Sequence, residues 1–78
     1  MRRPGRAARR TLMRALLARD NGRCRLCGRA VAPGAPAPED RATIGHIWPH
    51  ALGGEASLAN TRIECAACNE VHGLLPRW

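Results

Sequence analysis

Two Cys-x-x-Cys pairs, Cys24/Cys27 and Cys65/Cys68, carry the most legible chemistry of this 78-residue chain. Each pair sets two sulfurs on one tight turn, about the bite a single Zn²⁺ needs at roughly 2.3 Å per sulfur. Four thiolates together form the donor set of a closed, tetrahedral structural site. Residues 28–64 separate the pairs, a longer stretch than ribbon or finger spacing, so the metal closes a loop that contains His46, His50 and Asn60. The competing uses of four cysteines are two disulfides or a thioredoxin-like redox pair. There is no secretory signal to imply an oxidising compartment, and no βαβ pattern surrounds either pair, so zinc is the expectation.

The remaining composition calls for such a staple. Phe and Tyr are missing, Trp48 and Trp78 are the aromatics, and the 45% hydrophobic content is mostly Ala and Leu. Burial at about 25 cal/mol per Å² offsets little of the ordering entropy in a chain so short and so poor in large side chains. A structural metal makes up the difference, because its binding free energy is largely folding free energy.

Charge is unevenly spread. The net charge is +7, and every positive side chain is Arg. Residues 1–29 hold ten Arg against Asp20 alone, whereas residues 30–78 hold three against five acids. Arg presents a planar fork that donates two parallel hydrogen bonds to a phosphate, so nucleic acid is the expected partner. A solubility tail or a membrane-surface segment is the bland reading of the same charge. Met1 to Ala18 is rich in Arg and Ala and poor in acids, as transit peptides are, but it runs straight into the first cysteine pair. Arg14 interrupts the Leu run, and no stretch approaches the roughly 18 apolar residues of a membrane span. A cytoplasmic protein with no membrane partner is expected.

One domain over residues 1–78 must position these groups: a loose arm at 1–5, a basic helix at 6–22 and a zinc-clamped core at 23–75. Leu12, Met13, Leu16 and Leu17 recur at helical spacing and make one apolar face. Arg6, Arg10 and Arg14 form a basic ridge beside it. Asn21-Gly22 stops this helix, and Gly28 eases the turn after Cys27. Residues 32–40 hold three Pro and read as a loop. Arg41 to Trp48 is a strand ended by Pro49, and Gly53-Gly54 marks a turn in a loop that runs to Asn60. Thr61 to Glu64 returns as a second strand. Cys65 to Leu74 is a short helix stopped by Pro76.

His46, Pro49, Gly53, Gly54, Asn60, Cys65, Cys68, Asn69 and Gly73 stand in the order and spacing of a known signature. The chain resembles the HNH endonuclease family over residues 9–73. The resemblance implies an α+β fold of ββα-metal type, a hairpin and a helix around an active site. Here that core carries an N-terminal basic helix and a four-cysteine zinc clamp. It implies metal-dependent nicking of duplex DNA by a bacterial or phage-encoded protein. Small free-standing members work beside phage DNA-packaging machinery, so a terminase partner is implied by analogy alone.

The residue types suit that chemistry. Phosphodiester hydrolysis needs an activated water, stabilisation of added charge and help for an alkoxide leaving group. His46 suits the general base, since its reference pKa of about 6.5 lies near neutrality. Asn60 suits a structural role, bonding backbone groups across the loop without altering the base. Asn69 and His72 lie three apart on a helix and share a face toward the hairpin, as ligands for Mg²⁺, Mn²⁺ or Ni²⁺. Asn69 as a helix cap, and His72 as a phosphate contact, are their alternative roles. His50 is read as a phosphate-contacting or solvated residue. Gly45 stands where most members of the family have Asp, although some relatives carry Gly before the His as this chain does. That leaves the catalytic ion without a charged ligand, and Gly45→Asp would supply one, or would strain the hairpin if Gly45 needs a positive φ. A zinc-dependent DNA-binding module without cleavage, and a small Arg-rich RNA-binding zinc protein, are the rival readings.

Overall fold

The computed structural model describes residues 5–48 and 52–74. His50, together with Pro49, Pro76, Trp78 and most of the arm at 1–5, lies outside the described residues. Helix α1 spans Arg6–Arg19, strand β1 Ala42–His46, strand β2 Thr61–Cys65 and helix α2 Ala66–Leu74, with a 3-10 turn at Leu58–Asn60 leading into β2. This is the expected α+β arrangement.

The hairpin is antiparallel, with Ala42 opposite Cys65, Thr43 opposite Glu64, Ile44 opposite Ile63, Gly45 opposite Arg62 and His46 opposite Thr61. Alternation along each strand gives the sheet two unlike faces. Ala42, Ile44 and Ile63 turn to α1 and meet Leu12, Met13, Leu16 and Leu17, with Val31 at the margin. Leu16 and Ile63 are fully buried. The apolar stripe of α1 read from spacing is therefore the stripe that packs. Thr43, Gly45, Arg62 and Glu64 form the opposite row, which faces α2 through the Asn69–Thr43 and His72–Glu64 contacts. The hairpin is thus the middle of three thin layers.

Element boundaries differ modestly from expectation. The regular ladder ends at His46 rather than Trp48, because the Asn60 side chain replaces it there: Asn60 Oδ1 accepts from the Trp48 N–H at 2.8 Å. Cys65 is the last residue of β2 rather than the first of α2, since its Cα pairs with Ala42. Helix α1 ends as foreseen, with Asn21 and Gly22 at φ 57° and 63° and the Gly22 N–H on the Leu17 carbonyl at 2.8 Å.

Asp20 caps this junction. Its side chain is fully shielded and accepts hydrogen bonds from Arg19 Nε at 2.8 Å, Arg25 Nη1 at 2.9 Å and the Ile63 N–H at 2.9 Å. One carboxylate joins the end of α1, the first cysteine turn and the centre of β2. Arg19 extends the joint by donating to the Leu58 carbonyl at 2.6 Å and the Thr61 carbonyl at 2.8 Å.

Candidate active site and metal centre

Two local folds bring the cysteines together. The Cys24–Cys27 turn is closed by Cys24 N–H to the Arg29 carbonyl and Gly28 N–H to the Cys24 carbonyl, each at 2.9 Å. Gly28 at φ 79° takes the left-handed conformation that this turn requires. The turn is fastened to β2 by the Arg25 N–H on the Ile63 carbonyl at 2.8 Å. The second pair follows from the strand-to-helix junction, which leaves Cys65 on β2 and Cys68 on the first turn of α2.

All four Sγ atoms lie within 4.8 Å of one another. Four sulfurs at about 2.3 Å from one tetrahedral ion lie about 3.8 Å apart, so the cluster is the right size for Zn²⁺. Its electrostatics also fit a cation. Burial pushes the Cys24 thiol up, but backbone N–H groups of Cys65, Cys27 and Leu26 outweigh that and bring it down to about 6. The hydrogen bond to Cys65 raises the Cys68 thiol, and burial raises Cys65 itself. One thiolate forms readily and suppresses ionisation of its neighbours; a divalent ion removes that conflict. The residues present therefore fit a structural metal.

The second site lies at the other end of the hairpin. His46 closes β1, is half-buried and has its Nε2 screened from solvent. Asn60 holds the segment after it from both sides. Its Oδ1 accepts from Trp48 N–H, while its Nδ2 donates to the Trp48 carbonyl at 3.2 Å and the Glu55 carbonyl at 2.8 Å. The Ile47 N–H bonds the Asn60 carbonyl at 2.8 Å. One amide thus ties together both arms of the loop.

Asn69 and His72 share the face of α2 that meets the hairpin. Asn69 Nδ2 donates to Thr43 Oγ1 at 3.1 Å and approaches the Ile44 carbonyl at 3.4 Å, pinning α2 to β1. His72 Nδ1 lies 3.4 Å from Glu64 Oε2. Arg6, Arg10 and Arg14 line the exposed side of α1 and make no side-chain hydrogen bond or ion pair with any described residue. Arg19, Arg23, Arg25 and Arg29 are instead engaged internally.

Glu64 escaped the reading of the sequence, where it served only as the last residue of a strand. Its side chain is fully buried and crosses the sheet face to the space above Gly45. A Cβ at position 45 would overlap the Glu64 carboxyl carbon and both of its oxygens. Gly45 has no positive φ, so backbone strain is not what requires glycine there. A carboxylate therefore stands beside Gly45, delivered from the neighbouring strand. The available signal was the glycine itself, since glycine inside a strand marks close approach by another group.

No helix among the described residues is long and apolar enough to cross a membrane. No curated protein and no solved structure matches the chain. The HNH endonuclease family does match, over residues 24–74, which takes in both cysteine pairs, the hairpin and α2. With that match covering most of its length and the four cysteines gathered as a metal centre, the chain belongs to the HNH endonuclease family.

Proposed function

We propose that this protein is a metal-dependent DNA endonuclease that nicks one strand of a duplex, with His46 as general base and Zn²⁺ as a structural ion in the four-cysteine centre. The observation that carries the reading is the Asn60 clamp: its side chain bonds both backbone groups of Trp48 and the Glu55 carbonyl, and its own carbonyl accepts from Ile47, so the two residues that follow His46 are both held. A catalytic base is effective when its support is rigid, and such support has no evident use in a protein that merely binds. His46 takes a proton from water as the water oxygen attacks phosphorus, and one P–O ester bond breaks. A divalent ion, when bound, polarises the scissile phosphate and neutralises the leaving oxygen. Asn69 and His72, on the inner face of α2, are the candidates to hold that ion. Supercoiled plasmid incubated with purified protein and Mg²⁺, Mn²⁺ or Ni²⁺ should convert to the open-circle form. His46→Ala should slow that conversion by about 100-fold or more, the usual contribution of a general base. Shifted but uncut plasmid would instead identify a binding module, and preference for structured RNA would identify an RNA-binding protein.

The exposed ridge of α1 suits duplex DNA through its phosphates. Replacing Arg6, Arg10 and Arg14 with Gln should weaken binding at low salt. It should also reduce the slope of log K against log salt by up to about 3, near 0.9 per phosphate contact. Nicking at saturating protein should persist, because none of the three belongs to the hydrolytic site. An unchanged salt slope would assign the ridge to another partner, such as the packaging proteins that the family resemblance suggests.

A further inference from the structure

Glu64 is a buried acid that is only half satisfied. Its carboxylate is fully buried, and Oε1 has no hydrogen-bond partner among the described residues. Oε2 accepts from Arg62 Nε at 2.9 Å and sits 3.4 Å from His72 Nδ1. A buried carboxylate oxygen without a donor costs several kcal/mol of lost hydration, of order 1–3 for a neutral group and more for a charged one. The His72 separation is long for a strong hydrogen bond, but it matches the gap between two donors on one cation, about 3.0–3.4 Å at metal–ligand distances near 2.1 Å.

We propose that Glu64 is the carboxylate ligand of the catalytic divalent ion, entering from β2 through the space that Gly45 leaves open, with His72 as its neighbouring ligand. The inference rests on the nuclease reading for the word catalytic, but not for the ion site itself. On this account Gly45 accommodates a ligand delivered from the opposite strand. The family's aspartate position and Glu64 compete for one volume, so only one of the two carboxylates fits. Oε2 faces His72 Nδ1 and is the oxygen placed to share a cation with it, while Arg62 Nε holds the carboxylate in place. A hard carboxylate also makes Mg²⁺ and Mn²⁺ suitable occupants.

The test is binding, read apart from cleavage. Full-length protein carrying one equivalent of Zn²⁺ is titrated with Mn²⁺, and free Mn²⁺ is followed by its electron paramagnetic resonance signal. Wild type should bind one Mn²⁺. Glu64→Gln, nearly identical in shape, should weaken that binding by about 100-fold or more, beyond what outer-sphere changes usually cost. Zinc content and thermal melting should report an intact fold. The double variant Gly45→Asp/Glu64→Ala exchanges the strand that supplies the carboxylate and should recover affinity to within about tenfold of wild type, as the shared volume requires. Wild-type affinity in Glu64→Gln overturns the proposal, as does a wild type that binds no Mn²⁺. If Glu64→Gln loses its fold, the double variant decides. Recovered Mn²⁺ binding supports the assignment, while a folded double variant without it, or one that also unfolds, overturns it. Mn²⁺ binding through Glu64 without nicking in any metal would sink the nuclease reading alone. Nicking and Mn²⁺ affinity both unchanged in Glu64→Gln would sink this inference alone.

Discussion

Removing the metal from the four-cysteine centre should unfold the whole domain rather than loosen one corner of it. The fully buried apolar side chains are few, with Leu16 and Ile63 at the centre, and no Phe or Tyr exists to enlarge the core. A domain of this length has about 4–12 kcal/mol of stability, at 0.05–0.15 per residue. Structural Zn²⁺ contributes about 10–16 kcal/mol in small zinc domains, comparable to or above that whole net stability, so its loss is enough to unfold the chain. A strong chelator should abolish the helical circular dichroism signal in step with zinc release. Cys65→Ser should behave as the chelated protein does, because Cys65 is buried and joins the centre to β2. Metal analysis should give about one tightly held Zn²⁺ per chain. A metal-free protein that keeps its melting transition would contradict the account, as would one held by disulfides.

Asp20→Ala should lower stability by about 3 kcal/mol, at least about 10 °C in melting temperature for a domain of this size. The loss combines charge-assisted hydrogen bonds to Arg19 and Arg25 with a buried Ile63 N–H left without its acceptor. The Arg19 guanidinium beside Asp20 holds its carboxyl down at about 2 from an ordinary 3.8, against burial, with the Ile63 N–H and Arg25 assisting. A folded-state pKa below the unfolded one stabilises at pH values above both, and that contribution fades as pH falls through 3.8 toward 2. Between pH 8 and 5 the deficit of Asp20→Ala relative to wild type should therefore be constant. Acid unfolding that begins above pH 4 should track zinc release, since the thiolates take up protons there. Denaturant titrations of both proteins across this range provide the check. A deficit that shrinks between pH 8 and 5 would show that another group carries the junction.

Patterns confined to a few neighbouring residues were legible in the sequence. The cysteine pairs, the apolar stripe of α1, its Asn21-Gly22 stop and both strands were read from spacing and turn chemistry, and each lies within about a residue or two of its place. Asp20 and Glu64 were not legible in that way. Asp20 meets Ile63 across 43 residues of chain, and Glu64 takes its meaning from a glycine on another strand. Either residue alone looks like an ordinary surface acid. Only the hairpin register, which places Glu64 one step diagonally from Gly45, turns a missing side chain and a buried carboxylate into a single feature. The same holds for the arginines: Arg19 belongs to the basic run by composition, but its partners are Asp20 and the Leu58 and Thr61 carbonyls.

That Arg19 joint has a mechanical consequence. Arg19 bonds the carbonyl of Thr61, and Thr61 is the register partner of His46. The base of the arginine ridge and the end of the histidine strand are therefore linked through one guanidinium. For a duplex gripped along the ridge, the cut would fall at a constant offset from the grip, as with the jaws of a fixed caliper. Loosening the joint with Arg19→Ala would turn the caliper into a blade on a tether, and a single nick position into a spread of them.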